Sequence, residues 1–374
     1  MAWMLQLSWD LRVGWIDNPA SKGVHKMPLI AKKQKTNIGV DVGSYAVKIV
    51  EMKAGTTRNE VMSVGTKKLL PGAIVDGEPM DRDAVIAAIT EIYEEKGIEN
   101  VEVASAICGR SVIIKKIKIE EMDDDTAGEV IPLEAEQYVP FEKAELSVDF
   151  QVLRRGLSGG QMEVLLVAAK KDKVLSHVDL LRDAGLVPVT IDVDAFAVQN
   201  AFEINYEYEN GKVYALIDVG LGATNVGIVR EGLPLFNRDI PIGGETFVEG
   251  MQRMLGVTSE EARAALEGLP GSQSDETVKA IHSVGEELGM AIERSFSYLS
   301  SSGEAASVDQ IYLSGGGANI AGLQRYLEEK LSTPVDIANP LQNLAVDEDA
   351  LGADQAAVGP YLMVAIGLAT RKGS

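Results

Sequence analysis

The sequence predicts an α/β protein of two similar lobes with a smaller unit inserted in the first, and three observations support this. A strand–turn–strand segment occurs twice, as Ile38-Gly39-Val40-Asp41-Val42-Gly43-Ser44 and as Leu216-Ile217-Asp218-Val219-Gly220-Leu221-Gly222, each followed by a β-rich run. Between the copies, residues 112–186 read as strand, acidic loop, helix, two strands and a helix, a small α+β unit of their own. After the second copy, a strand runs through Gly315-Gly316-Gly317 toward a helix.

Residues 1–35 form a leader that differs from the rest. Six basic residues (Arg12, Lys22, Lys26, Lys32, Lys33, Lys35) face two acids (Asp10, Asp17), and all three tryptophans fall here. Its apolar residues alternate as Leu5, Leu7, Trp9, Leu11, Val13 and Trp15, which is neither the continuous run of a signal peptide nor the period of an amphipathic helix. The leader reads as a flexible extension, or as sequence upstream of a start at Met27, with an interfacial anchor as the alternative. Beyond it, Ala84, Val85, Ala88, Ile89, Ile92 and Tyr93 share one face of a helix over 81–96. Strands are expected at 112–119, 148–153 and 162–169, and the helix after them ends at Gly185. Helices are expected at 245–255, from the capping box Thr258-Ser259-Glu260-Glu261, and at 275–300. A strand at 310–314, a helix at 323–331 and the apolar segment 361–370 close the chain.

Composition removes several functions. With 374 residues, 46% apolar and 24% charged, the chain can bury sizeable cores. Its net charge of -21 repels a phosphate backbone, so nucleic acid is not an expected partner. Cys108 is the single cysteine, which rules out an internal disulfide and a thiolate metal cage and suits a reducing cytoplasm. His25, His177 and His282 are too scattered for a metal site and read as ordinary surface or helix residues. The best apolar run, 358–370, is broken by Gly359, Pro360 and Gly367 and is too short to span a bilayer.

The repeated turns carry the chemistry. Each puts an acid at a strand end and then glycines whose backbone can offer successive N–H groups to a phosphate. Ser44, Thr224 and Asn225 add side-chain donors, Lys48 adds a positive charge, and Asp41 and Asp218 suit a hydrated Mg2+, which takes only one or two carboxylates. The Gly315-Gly316-Gly317-Ala318 loop lets a flat ligand approach its backbone. Two facing hairpins can thus clamp a polyphosphate, with the nucleoside on the third loop. Gly220-Leu221-Gly222-Ala223-Thr224-Asn225 lacks the third glycine of a dinucleotide fingerprint and leads into a strand. No Gly-x-x-x-x-Gly-Lys-Ser/Thr sequence occurs, which excludes a P-loop. Gly156-Leu157-Ser158-Gly159-Gly160 has nucleophile-elbow spacing but reads as a hairpin loop, since it follows Arg154-Arg155 with no histidine partner.

These elements resemble the two phosphate motifs and the adenosine motif of the actin, sugar kinase and Hsp70 superfamily. Within its FtsA-like branch, the chain is similar to the PilM family of type IV pilus assembly proteins. That likeness rests on residues 134–141 (Glu134-Ala135-Glu136-Gln137-Tyr138-Val139-Pro140-Phe141), Asp149-Phe150-Gln151-Val152-Leu153, Ile242-Gly243-Gly244, Ile292-Glu293-Arg294-Ser295 with Tyr298, Asn339-Pro340, and Ala365-Ile366-Gly367-Leu368-Ala369-Thr370-Arg371. The resemblance implies a two-lobed actin-like ATPase fold. Its subdomains would be 1A at 36–111 and 187–211, the inserted 1C at 112–186, 2A at 212–241 and 309–358, and 2B at 242–308, with 359–374 returning to 1A.

The resemblance also implies ATP with Mg2+ between the lobes, on Asp41, Gly43, Ser44, Tyr45, Lys48, Asp218, Gly220, Gly222, Ala223, Thr224, Asn225, Gly243, Gly244, Gly315, Gly316, Gly317 and Ala318. Where the family's next helix presents a Glu and a Lys to the nucleoside, this sequence has Arg263 and Leu266. It further implies capture of the N-terminal cytoplasmic peptide of the membrane protein PilN near 1A and 1C. With it come contact with a PilN/PilO inner-membrane complex and with pilus motor ATPases, self-association, and a place on the cytoplasmic face of the inner membrane reached through partners. Hydrolysis needs a group that orients water, and Asp192 or Asp194 are the candidates, the other reading being that they cap the helix at Phe196. Nucleotide binding is therefore expected before turnover. Two other functions stay open, a division protein resembling FtsA and a kinase of a small hydroxyl substrate. The ending Leu368-Ala369-Thr370-Arg371-Lys372-Gly373-Ser374 leaves no room for FtsA's membrane-targeting helix and disfavours division.

Overall fold

The computed structural model describes residues 9–10, 36–109, 112–267, 274–347, 350–351 and 359–371. Of the leader, Trp9–Asp10 (β1) falls within that description; His25, Met27 and the other leader residues lie outside it, as do 372–374.

Two sheets share one topology. In the first lobe, β2 (Thr36–Val42), β3 (Ala46–Lys53) and β4 (Glu60–Lys68) form an antiparallel meander. The short ribbon of β5 (Ile74–Val75) and β6 (Glu78–Pro79) follows. Helix α1 (Arg82–Lys96) then crosses over to β7 (Glu102–Ile107), which lies parallel to β2. Asp81 starts α1 by accepting the Ala84 N–H at 3.0 Å, and Gly97 at φ 61° ends it. Val85, Ala88, Ile89 and Ile92 on its inner face are buried. β11 (Val187–Val193) extends the sheet parallel to β7, and Trp9–Asp10 pairs antiparallel with it, Trp9 opposite Ile191.

The insert lies between β7 and β11. It comprises β8 (Val112–Glu120), α2 (Asp124–Glu134), β9 (Leu146–Leu157) and β10 (Gln161–Lys170), in sheet order β8-β10-β9. Ile117, Ile119, Ala127, Ile131, Met162, Val164 and Leu166 give it a core of its own, and the Gly156–Gly160 segment is the turn of its β9–β10 hairpin. α3 (Lys171–Asp183), which the sequence reading grouped with the insert, buries Val174, Val178, Leu180 and Leu181 in the first-lobe core.

Helix α4 (Asp194–Asn205) leads to the second lobe. There the meander β12 (Val213–Val219), β13 (Thr224–Arg230) and β14 (Leu233–Ile240) is followed by α5 (Gly244–Leu255), α6 (Ser259–Leu266) and α7 (Asp275–Ser301). β15 (Gln310–Ser314) lies parallel to β12; then come α8 (Leu323–Leu331), β16 (Val335–Ile337) and β17 (Ala345–Val346), which pairs back to β4. Orders β11-β7-β2-β3-β4 and β16-β15-β12-β13-β14 match strand for strand, the structural counterpart of the repeated turn.

The last helix, α9 (Met363–Ala369), is buried along its whole length and packs with α4 in a core that also receives Tyr214 and Leu216 from the second lobe. Two glycines permit this crossing. A Cβ on Gly39 would sit 2.1 Å from the Ala365 carbonyl oxygen, and one on Gly367 would sit 1.7 Å from that of Ala197. Among the described residues no helix is long and apolar enough to cross a membrane.

Candidate functional site

The two repeated turns close identically. The Gly43 N–H donates to the Ala46 carbonyl at 3.2 Å, and the Gly220 N–H donates to that of Ala223 at 2.9 Å, each glycine standing two residues after its aspartate. They face each other: a Cβ on Gly222 would come within 3.8 Å of Ser44 Oγ. The second turn is anchored from behind, since the N–H groups of Gly244 and Glu245 donate to the Gly220 and Leu221 carbonyls at 2.9 and 2.8 Å. Gly243 must lack a side chain for this, because its Cβ would lie 2.5 Å from the Leu221 carbonyl oxygen.

Opposite charges are set by strand register. Lys48 lies directly across from Asp41 on β3, and its ammonium meets that carboxylate at 2.7 Å. Burial opposes the charged lysine, yet the carboxylate of Asp41, reinforced by Asp218 and Asp194, keeps its pKa above the ordinary value. Asp218 accepts the Ser314 hydroxyl at 2.7 Å, and burial raises its pKa despite that bond and despite Lys48. Asp194 is pushed up to about 7 by burial and then by Asp41, with the Cys108 thiol donating to it in the opposite sense. The Cys108 thiol is itself driven well up, by burial and by Asp194.

Between the lobes lies an open cleft. Tyr45 and Lys48 enter it from the first lobe; Gly220, Leu221, Gly244, Gly316 and Gly317 form a glycine-rich wall; and Arg263, Leu266, Glu267 and Tyr361 also line it. Arg263 is fixed by Glu245 at 2.5 Å. Gly315, at φ 78°, donates its N–H to the Pro360 carbonyl, which brings the Tyr361 ring to 3.4 Å from where a Cβ on Gly316 would be. Tyr45 and Tyr361 approach across the opening with ring centroids 6.3 Å apart.

The structure thus gathers Asp41, Gly43, Ser44, Tyr45, Lys48, Asp218, Gly220, Gly222, Gly244, Gly316, Gly317 and Asp194 around one region. Others are positioned differently. The Thr224 hydroxyl is fully buried and donates to the Ile242 carbonyl at 2.7 Å, so it braces the hairpin. Asn225 donates to Asp239 at 2.7 Å, while Ala223 accepts the turn bond and Ala318 is buried. Asp192 is taken up by Arg371, whose Nε and guanidinium nitrogen lie 2.6 and 2.5 Å from Oδ2, and both side chains are buried. Of the two acids singled out for water activation, Asp194 alone shares the electrostatic environment of Asp41 and Asp218. Sequence reasoning did not find Glu267, Asn319 or Tyr361, which no turn motif marks; the helix started by Thr258 was the one signal pointing to Arg263 and Leu266.

Asp41 is buried and Asp194 and Asp218 are half-buried, so the negative charge gathered around Lys48 is of the kind that a divalent cation offsets. Among the described residues no three such side chains converge closely enough to cage a bare ion, so the donor set fits a hydrated Mg2+ held through its waters. Glycine-lined walls, which let a ligand approach the backbone closely, and the Lys48 ammonium fit a polyphosphate.

The charge excess has a measurable consequence. The folded-state pKa of Asp194 lies above its unfolded value, so the folded state is favoured at low pH and loses stability as pH rises through about 7. His177, whose pKa burial and Lys173 lower to about 4, acts oppositely, with stability lost as pH falls below its unfolded value. Asp194→Asn is therefore expected to raise the melting temperature of the ligand-free protein at about pH 8, by on the order of 2–4 kcal/mol in stability, with an effect that shrinks as pH falls and is small near pH 4. An equal effect at both values would show that Asp194 is not the group responsible.

Duplicated sheets with facing acid–glycine turns define a two-lobed actin-like ATPase fold. The ethanolamine utilization protein EutJ from Carboxydothermus hydrogenoformans superposes with a TM-score of 0.56 at 15% identity, over 92% of this chain and 91% of that one. MreB 5 of Spiroplasma citri bound to AMPPNP superposes with a TM-score of 0.53 at 13% identity, over 90% and 95%. The chain belongs to the family of type IV pilus assembly protein PilM, whose model matches residues 39–373. A solved PilM-PilN type IV pilus biogenesis complex contains a chain 28% identical to this one, with a TM-score of 0.80 over 90% of this chain and 98% of that one.

Proposed function

We propose that this protein is a nucleotide-bound adaptor of type IV pilus assembly that holds MgATP between its lobes and captures the N-terminal cytoplasmic segment of PilN. The observation that carries this reading is the likeness to the chain of the PilM-PilN complex across nearly its full length. ATP would lie with its phosphates on the turns at Gly43–Ser44 and Gly220–Gly222, near Lys48, with Mg2+ on Asp41 and Asp218 through water and the nucleoside between Gly316, Arg263 and Tyr361. Bound Mg2+ supplies charge neutralisation for the phosphates. A cytoplasmic protein recruited to the inner membrane through PilN needs no membrane-spanning helix of its own. Binding rather than turnover is the proposed role.

Calorimetric titration tests both halves. MgATP is expected to bind with one site per chain, and the synthetic N-terminal peptide of PilN is expected to bind saturably. Absence of peptide binding with and without MgATP would remove the adaptor reading.

A further inference from the structure

The insert belongs to the first lobe by sequence, yet it is fastened to the second. β8, an edge strand of the insert sheet, lies alongside β14, the edge strand of the second-lobe sheet. Lys116 on β8 stands opposite Leu165 on β10, the residue that packs against Ala195 and Phe196 of α4, so it projects from the sheet face turned toward the body of the protein. From there its ammonium meets Glu304 of the second lobe at 2.6 Å, and the two side chains are only 13% and 28% exposed. Glu304 is presented by the end of α7, where the Ser302 N–H donates to the Tyr298 carbonyl and Gly303 turns the chain at φ 75°.

The second-lobe strand beside β8 leads to the cleft. β14 ends at Ile240 and runs directly into Ile242, Gly243 and Gly244. Gly244 and Glu245 hold the Gly220–Leu221 turn through their backbone N–H groups, and Thr224 grips the Ile242 carbonyl. A shift of the second turn toward a polyphosphate would therefore be felt by β14, the strand beside β8. A partly desolvated pair at this position is stronger than an exposed one and transmits such a shift with less slack.

We propose that Lys116–Glu304 is a cross-lobe latch through which nucleotide in the cleft and a peptide bound at the first lobe and insert influence each other's affinity. The proposal rests on the reading that the cleft takes MgATP and that this face takes the PilN segment. Linkage then makes the coupling reciprocal: whatever factor MgATP applies to peptide affinity, the peptide applies to MgATP.

The test is a calorimetric cycle on the full chain with the synthetic N-terminal PilN peptide, with and without MgATP. In the unaltered protein the two peptide Kd values are expected to differ by about fivefold or more. Lys116→Met and Glu304→Gln, each keeping side-chain length, are expected to bring that ratio below about twofold while leaving the nucleotide-free peptide Kd within about threefold. The reversed pair, Lys116→Glu with Glu304→Lys, is expected to restore the ratio, which a merely structural contact would not do. A ratio of one in the unaltered protein, or an unchanged ratio in both single variants, overturns the latch. Failure of the unaltered protein to bind peptide under either condition overturns the adaptor reading itself.

Discussion

Gly367→Val is expected to leave no folded protein. A Cβ at this position would lie 1.7 Å from the Ala197 carbonyl oxygen and 2.5 Å from its carbon, both backbone atoms of α4 that no rotamer change can move. Relief requires α9 to back away from α4. On its far side α9 meets β2, where Gly39 already allows the Ala365 carbonyl to within 2.1 Å of a Cβ position. The helix has no direction in which to retreat without opening the core of Phe202, Leu362, Ile366 and Leu368. Overpacking and cavity formation together cost about 4 kcal/mol or more, a large part of the stability of an ordinary domain. Soluble yield and the circular-dichroism melting curve check this, with Gly128→Ala as the control. Gly128 lies inside α2, a Cβ there meets nothing within 4 Å, and alanine should stabilise that helix by about 0.5–1 kcal/mol. A folded Gly367→Val protein would mean that the crossing is looser than this geometry requires.

The acid–glycine turns were legible because they are local. Asp41 with Gly43 and Asp218 with Gly220 recur at one spacing, and the turn hydrogen bonds follow from that spacing alone. The strand Gln310–Ser314 and the helix Leu323–Leu331 were legible for a similar reason, being bounded by glycines and a clear change of period. What could not be read was set by residues distant in sequence. Tyr361 reaches the cleft because the Pro360 carbonyl accepts the Gly315 N–H, and Lys116 meets Glu304 because the insert packs against the second lobe. Asp192 and Asp194 illustrate a subtler limit. Two residues apart on a strand they would share a face, but α4 begins at Asp194, so the period breaks between them. Asp192 then turns to Arg371, and Asp194 to the Cys108 thiol, within electrostatic reach of Asp41 and Asp218. Thr224 looked like a phosphate donor by type, whereas its strand pairing buries it and gives its hydroxyl to Ile242.

Asp218→Asn is expected to weaken MgATP binding by about 100-fold, and binding of ATP without Mg2+ hardly at all, because the lost charge acts on the hydrated cation. The substitution keeps the shape of the side chain, and the asparagine carbonyl can still accept the Ser314 hydroxyl that now lies 2.7 Å from Oδ1. Asp41 is the less clean site. Removing its charge strips the half-buried Lys48 of the partner at 2.7 Å, so a fall in affinity would be mixed with a loss of stability. Asp192→Asn supplies the opposite pattern: it takes the carboxylate charge away from the buried guanidinium of Arg371 and is expected to lower the melting temperature, while nucleotide affinity stays unchanged. Calorimetry with and without Mg2+, alongside melting curves, separates the three variants. If Asp218→Asn retained full Mg2+-dependent affinity, the cation would have to be held by Asp41 and Asp194. If Asp192→Asn lost affinity without losing stability, the assignment of its carboxylate to Arg371 rather than to the cleft would be wrong.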